Sequence, residues 1–243
     1  GNKMYYYLMI ILPICIFLIN FTLKKKNLIK SYSGDKHQRF VEKNNIPLSG
    51  GIFITGIFIF LFYNDYTIFC FALSLIFLIG LMSDLNILSS PKYRFLFQVI
   101  TIFIFVYLIK LEVTPTRIYF LDTILDNIFL SYFFTVFCLI IVMNGSNFID
   151  GLNGLVLGYY LSIIFLIFKI GLLENEQLYD NKIFFLILLF VILFLYNIFN
   201  QLYIGDSGAY AISLIISFLL ISIYRDNQNM SPFFIILLLW YPC

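Results

Sequence analysis

Ionisable chemistry is scarce in this chain. A single histidine, His37, leaves no means of building a histidine metal cluster or a serine–histidine–acid triad within it. The cysteines, Cys15, Cys70, Cys138 and Cys243, are far apart and show no CxxC spacing. Neither a zinc site nor a disulfide framework is therefore expected, and the first three read as small buried hydrophobes within apolar runs. Charged residues make up 12% of the sequence, against about 25% in ordinary soluble domains. The formal net charge of +2 offers no footing for nucleic acid, and none is expected as a partner. No linker, low-complexity tail or shift in composition marks a second domain.

What is there is overwhelmingly apolar. Hydrophobic residues reach 62% and the mean hydropathy is +0.97. Apolar runs recur along the whole length at 5–23, 48–63, 66–82, 95–110, 127–143, 154–172, 183–199, 208–224 and 230–243. Each is read as a span of a hydrocarbon core about 30 Å thick. The expected fold class is all-α, a polytopic helical bundle in a membrane with nine spans in this chain. Met4 to Leu23 is closed by Lys24-Lys25-Lys26 with no small-residue cleavage site, a stop-transfer pattern rather than a signal peptide.

Alternating the connections between two sides collects Lys24, Lys25, Lys26, Lys30, Lys36, Arg39, Lys43, Lys92 and Arg94 on one of them. Short loops rich in Lys and Arg stay cytoplasmic. The loops near 24–47, 83–94, 144–153 and 200–207 are therefore expected in the cytoplasm, and the N-terminus outside. Residues 4–243 form one transmembrane domain on this reading.

Three polar islands interrupt the apolar runs on that same side, each with one acid. Gly80 to Asn86 carries Asp84, Asn144 to Leu155 carries Asp150, and Ile204 to Tyr210 carries Asp206. In the second island Asn144, Asn147 and Asp150 recur every three residues, near one face of a helix end. Gly151 and Gly154 allow close backbone approach, although Asn, Ser and Gly also make ordinary turns between helices. Asp206 opens an apolar run and is first of all an N-cap; its functional reading is a carboxylate ligand for Mg²⁺ beside helix-terminal amides. Asp84 is followed by Lys92 and Arg94, which read either as membrane anchors or as phosphate contacts. Together the islands favour a cation site at the boundary of the membrane, because a transporter would place its acids near the midplane.

In this order the islands resemble the polyprenyl-phosphate N-acetylhexosamine-1-phosphate transferases, glycosyltransferase family 4, from about Lys36 onward. His37-Gln38-Arg39-Phe40 with Ile46-Pro47-Leu48-Ser49-Gly50-Gly51 is similar to the family's first loop. Gly80 to Gln98 is similar to its Asp-Asp loop, Asn144 to Leu155 to its Asn-x-x-Asn-x-x-Asp-Gly-Leu-x-Gly-Leu motif, and Gly205 to Gly208 to its Gly-Asp-x-Gly motif. The resemblance implies transfer of a sugar phosphate from a UDP-N-acetylhexosamine to a polyprenyl (undecaprenyl) phosphate with release of UMP. It implies Mg²⁺ as cofactor, with Mn²⁺ as its substitute, and a bacterial cytoplasmic (inner) membrane as the location. Asp206 and Asp84 would be metal ligands and Asp84 and Asp150 catalytic residues. Asn144, Asn147 and Asn153, with Lys92 and Arg39, would bind nucleotide and phosphate. Some members are dimers, and no dimer face is identifiable here.

The chain departs from the family in Ser83-Asp84 where the family has paired acids, in Asn153 where it has Asp, and in Leu48 where it has Arg. It stops at Trp240-Tyr241-Pro242-Cys243, where the family continues into a histidine-bearing loop, so a fragment lacking the C-terminal part of the fold is expected. A silent membrane scaffold and, more remotely, a small transporter or flippase are the competing functions.

Overall fold

The computed structural model describes residues 2–29, 46–172, 181–227 and 229–239. Arg39 and His37, most of the 24–47 loop and the 240–243 stretch lie outside the described residues. Among the described residues ten helices follow one another: α1 (Asn2–Lys25), α2 (Gly50–Phe62), α3 (Thr67–Asp84), α4 (Pro91–Ile109), α5 (Tyr119–Leu125), α6 (Ile128–Ile149), α7 (Leu155–Lys169), α8 (Asn181–Ile198), α9 (Gly205–Asp226) and α10 (Pro232–Leu239). Among the described residues the only extended pairing outside helices is an isolated parallel bridge between Leu48 and Tyr203.

Every apolar run of the sequence carries one of these helices, and α5 is an addition. Among the described residues four helices, α3, α4, α6 and α9, are long and apolar enough to cross a membrane. The expected count of nine crossings is thus met in helix positions but not in helix lengths. The reason is geometric. At about 1.5 Å of rise per residue, the 13 residues of α2 fall well short of a hydrocarbon core of about 30 Å. Parts of the apolar runs are not helical: 46–49 is extended before α2, and turns close α7 and α8. The α5 helix was hidden because it lies in a short polar connection. There Asp122 accepts hydrogen bonds from Thr116 N–H and Oγ1 and from Arg117 N–H, folding the chain back between α4 and α6.

The bundle is organised around α9. Its best membrane-length window is 83% buried, whereas those of α3, α4 and α6 reach 39%, 28% and 44%. Helices α2, α3, α6, α7 and α10 all pack on it. The sequence of α9 explains why. Ser207, Gly208, Ala209, Ala211, Ser213 and Ser217 are all buried, and small side chains let neighbouring backbones approach closely. The surrounding helices turn large apolar side chains outward, Phe71, Leu75 and Leu78 of α3 among them, as lipid-facing surfaces do. Away from the acidic islands the core is aromatic: Phe69 stacks on Phe218 at 4.4 Å between ring centres, with Phe58 and Phe105 edge-on to Phe69.

Two helices start side by side. Gly50 N–H donates to Tyr203 O, and Tyr203 N–H donates to Pro47 O, each at 3.0 Å, so the segments leading into α2 and α9 run parallel. Asn20 of α1 binds both segments, accepting from Ser49 Oγ at 2.8 Å and donating to Gln201 O at 2.5 Å. The start of α9 then presses on the end of α3. A methyl group at Gly80 would lie 2.4 Å from Ser207 Cα, too close for any real contact and against backbone that has no rotamer to change.

Gly80→Ala should therefore destabilise the bundle by about 1–3 kcal/mol, the range of overpacked cores. Gly56→Ala, where nothing lies within 4 Å, is the control. Melting of both variants in detergent, followed by the monodisperse fraction after heating, checks this, and equal melting temperatures would refute the close approach.

Candidate active site

The three acidic islands meet at one end of the bundle. Asp84 is the last residue of α3, Asp150 follows the last turn of α6, and Asp206 sits in the first turn of α9. The helices alternate in direction, so the ends of α3 and α6 and the starts of α2, α4, α7 and α9 share this end.

Asp84 makes the closest link. Its Oδ1 accepts Asp206 N–H at 2.8 Å, and its Oδ2 accepts Ser207 N–H at 3.1 Å and Ser207 Oγ at 2.7 Å. A helix begins with amides that have no partner within the helix, and a carboxylate there also faces the positive end of the dipole. Asp84 thus caps α9 from another helix. Gly205 permits it: its φ is +72°, and a Cβ there would lie 2.7 Å from Asp84 Oδ2.

Asp206, held by that cap, points its carboxylate to the start of α4. Its Oδ2 accepts from Arg94 Nη1 and from Ser83 Oγ, both at 2.5 Å, and Arg94 Nη1 also reaches Ser83 Oγ. The Arg94–Asp206 pair is only about a quarter exposed. Among the described residues Asp206 Oδ1 and Arg94 Nε have no protein partner, and the latter is buried. Ser83 stands where a second acid would repel Asp206; as an alcohol it donates to it instead.

Asp150 is partly exposed at its surface, but its carboxyl lies deep among protein atoms. Burial raises its pKa well above the usual carboxylate range, the charges of Asp206 and Asp84 add to the rise, and a hydrogen bond from Gly205 N–H opposes it. Asn147 donates to Tyr210 OH on α9 at 3.3 Å. Asn144 donates to Gln98 Oε1 at 2.9 Å and to Ile140 O at 3.0 Å. Gln98 is fully buried, with its side chain beside Tyr210. It lies one turn after Arg94 on α4, so both face the cluster.

Of the residues singled out in the sequence, Asp84, Asp150, Asp206, Asn144 and Asn147 converge here. Asn153 does not face the acids: it donates to Asn200 at the end of α8, and Gly154 N–H beside it donates to Asn197 Oδ1 at 2.5 Å. Lys92 is exposed on the first turn of α4. Arg39 lies outside the described residues. Gln98 and Tyr210 were not chosen as site residues from sequence, and Arg94 was left between a membrane anchor and a phosphate contact. The four-residue spacing of Arg94 and Gln98 at the start of an apolar helix was the available signal for two of them.

No group of three His, Cys, Asp or Glu side chains disposed to hold a metal ion occurs among the described residues. Asp84 already has both oxygens bonded, and Asp206 has one oxygen unbonded to protein. That donor set fits Mg²⁺ in the form it commonly takes, one or two carboxylates completed by substrate phosphates and water. It does not fit a cage built wholly from protein.

The model of glycosyl transferase family 4 matches residues 66–224, a stretch that runs from the start of α3 to the end of α9 and contains all three islands. A phospho-N-acetylmuramoyl-pentapeptide-transferase of Dictyoglomus thermophilum is 29% identical over 216 residues, covering 84% of this chain and 67% of that protein.

If Asp84 caps α9 as described, Asp84→Ala should lower stability by about 1–2 kcal/mol, the cost of losing a strong helix cap. Hydrogen exchange of the Asp206 and Ser207 amides should rise at the same time. Unchanged protection of those two amides would show that the cap is not what holds the start of α9.

Proposed function

The chain belongs to glycosyl transferase family 4, and from that membership we infer that it is a multi-pass membrane enzyme transferring a sugar phosphate from a nucleotide sugar to a polyprenyl phosphate. The donor class is a UDP-N-acetylhexosamine, the acceptor undecaprenyl phosphate, and the leaving group UMP. The reaction would open the assembly of a cell-envelope glycan at the cytoplasmic face of a bacterial inner membrane. The observation that carries this reading is the meeting of Asp84, Asp150, Asp206 and Arg94 at one end of a helical bundle, inside the stretch matching the family.

Phosphoryl transfer asks the protein for positioning and charge neutralisation rather than covalent chemistry. An oxygen of the lipid phosphate attacks the sugar-proximal phosphorus, a new P–O bond forms, and the bond to the UMP oxygen breaks. Asp206 through its unpartnered Oδ1, completed by substrate phosphates and water, would hold Mg²⁺ or Mn²⁺, whose charge would neutralise the diphosphate. Asp84 keeps Asp206 in place and would stand near the lipid phosphate. Arg94 can exchange its bond to Asp206 for one to a phosphate oxygen without moving its helix, and Lys92 adds a second cation at the same helix start. Asn147 and Asn144, on the last turns of the helix that Asp150 follows, would orient the nucleotide. Asn153 would act indirectly, by fixing the second island to α8.

One observation favours a second reading. Arg94 and Ser83 already bond one oxygen of Asp206, as expected of a silent scaffold that supplies its own counter-cation. Turnover separates the two. Membranes carrying the protein, incubated with labelled UDP-N-acetylhexosamines, undecaprenyl phosphate and Mg²⁺, should yield butanol-extractable label and UMP, both lost with chelator. Asp206→Asn should lower kcat by about 10²–10³, as for other lost electrostatic stabilisers. Wild-type turnover in Asp206→Asn would remove this residue from the site, and nucleotide binding without UMP release would favour the scaffold.

A further inference from the structure

One turn further into the bundle than the acidic cluster, a second set of polar groups joins α4, α6 and α9. Arg94 and Gln98 are four residues apart on α4, and Asp206 and Tyr210 are four residues apart on α9. Arg94 and Asp206 form the ion pair of the cluster. Gln98 and Tyr210 repeat that pairing one turn along, with the Gln98 side chain beside the phenol. Asn147 of α6 donates to the same hydroxyl at 3.3 Å. Gln98 and Tyr210 are both buried. The residues around Tyr210 on α9, Ser207, Gly208, Ala209 and Ala211, are all small. A phenylalanine would fill the space of the tyrosine ring, so what the tyrosine adds is the hydroxyl at which three helices meet.

The bonds have a fixed direction. Asn144 Nδ2 donates to Ile140 O at 3.0 Å, and a backbone carbonyl only accepts, so this end of the side chain is the nitrogen. The same nitrogen donates to Gln98 Oε1 at 2.9 Å, which turns the Gln98 nitrogen toward Tyr210. The Tyr210 hydroxyl is thereby set as an acceptor, and Asn147 offers it a nitrogen. The last torsion of an asparagine has a broad, shallow preference, and Asn147 lies in the last turn of α6. Its bond to Tyr210 is what orients its amide. With the nitrogen turned to the phenol, Asn147 Oδ1 has no protein donor among the described residues, and the side chain is half-buried at the edge of the site.

We propose that Tyr210 is a positioning residue for the nucleotide sugar: its hydroxyl, set by Gln98, holds the Asn147 amide with the oxygen presented to an N–H or O–H group of the ligand. Tyr210 itself touches no reacting atom. The identity of the ligand rests on the transferase reading; the chain of hydrogen bonds does not.

Calorimetric titration of the purified full chain in detergent with UDP-N-acetylglucosamine and UDP-N-acetylgalactosamine, each with Mg²⁺, is run beside turnover in membranes. Tyr210→Phe should weaken binding of the preferred donor about tenfold, equivalent to 1.4 kcal/mol. It should raise KM by the same factor with kcat unchanged, as when binding common to ground and transition states is lost. Asn147→Ala should weaken binding similarly, and adding Tyr210→Phe to it should change little more, because residues acting in series are not additive. A tyrosine that only packed α9 would lower the melting temperature and leave binding where it was. Should Tyr210→Phe not fold, Gln98→Met, which keeps the length and loses the amide, repeats the comparison. Unaltered binding in Tyr210→Phe, or fully additive losses in the double variant, overturns the proposal. The expected weakening in a chain without turnover keeps it and removes the transferase reading, and a wild-type chain that binds neither UDP-sugar overturns both.

Discussion

The carboxylate of Asp84 is the joint on which the arrangement turns. It ends one helix and begins another, accepting the amides of Asp206 and Ser207 and the Ser207 hydroxyl. Near a low-dielectric bundle such amides are costly to leave unbonded. Three glycines make the approach sterically feasible, since any side chain at Gly51, Gly80 or Gly205 would collide with the neighbouring element. Moving Asp84 would displace α9, and with it both the axis of the bundle and the aim of Asp206.

Bringing three acids to one end of a low-dielectric bundle creates a repulsion that has to be answered. Within the protein the answer is Arg94, backed by Ser83 and by the amides at the start of α9. A guanidinium suits this place because it bonds several oxygens at once and stays charged when dehydrated. Its unpartnered Nε is a buried donor at the same end.

The islands were visible in the sequence because polar residues cannot hide in an apolar chain, and their shared end followed from the even number of runs between them. The helix positions were likewise legible from hydropathy. Roles within the islands were less so. Asp206 sits at a helix start, so local rules name it the cap of its own helix, yet the cap comes from Asp84, far back in the chain. Asn153 shares the composition of its neighbours but turns to Asn200, and nothing local encodes that choice. Arg94 looks like any basic residue at a membrane boundary. Helix length was misjudged for the same reason: hydropathy reports burial, and the extended segment at 46–49 is as buried as a helix would be.

The parallel bridge between Leu48 and Tyr203 has a consequence in time. A ribosome delivers the chain from its N-terminus, and each partner of the joint waits for a segment made much later: Leu48 for Tyr203, Asn20 for Gln201, Asp84 for Asp206. Until the ninth helix has entered the bundle, the earlier ones have neither their axis nor their neighbour across the bridge. The acidic centre therefore closes only after residue 205 is made, and a nascent chain halted before it would carry most of the preceding helices and none of the closed site.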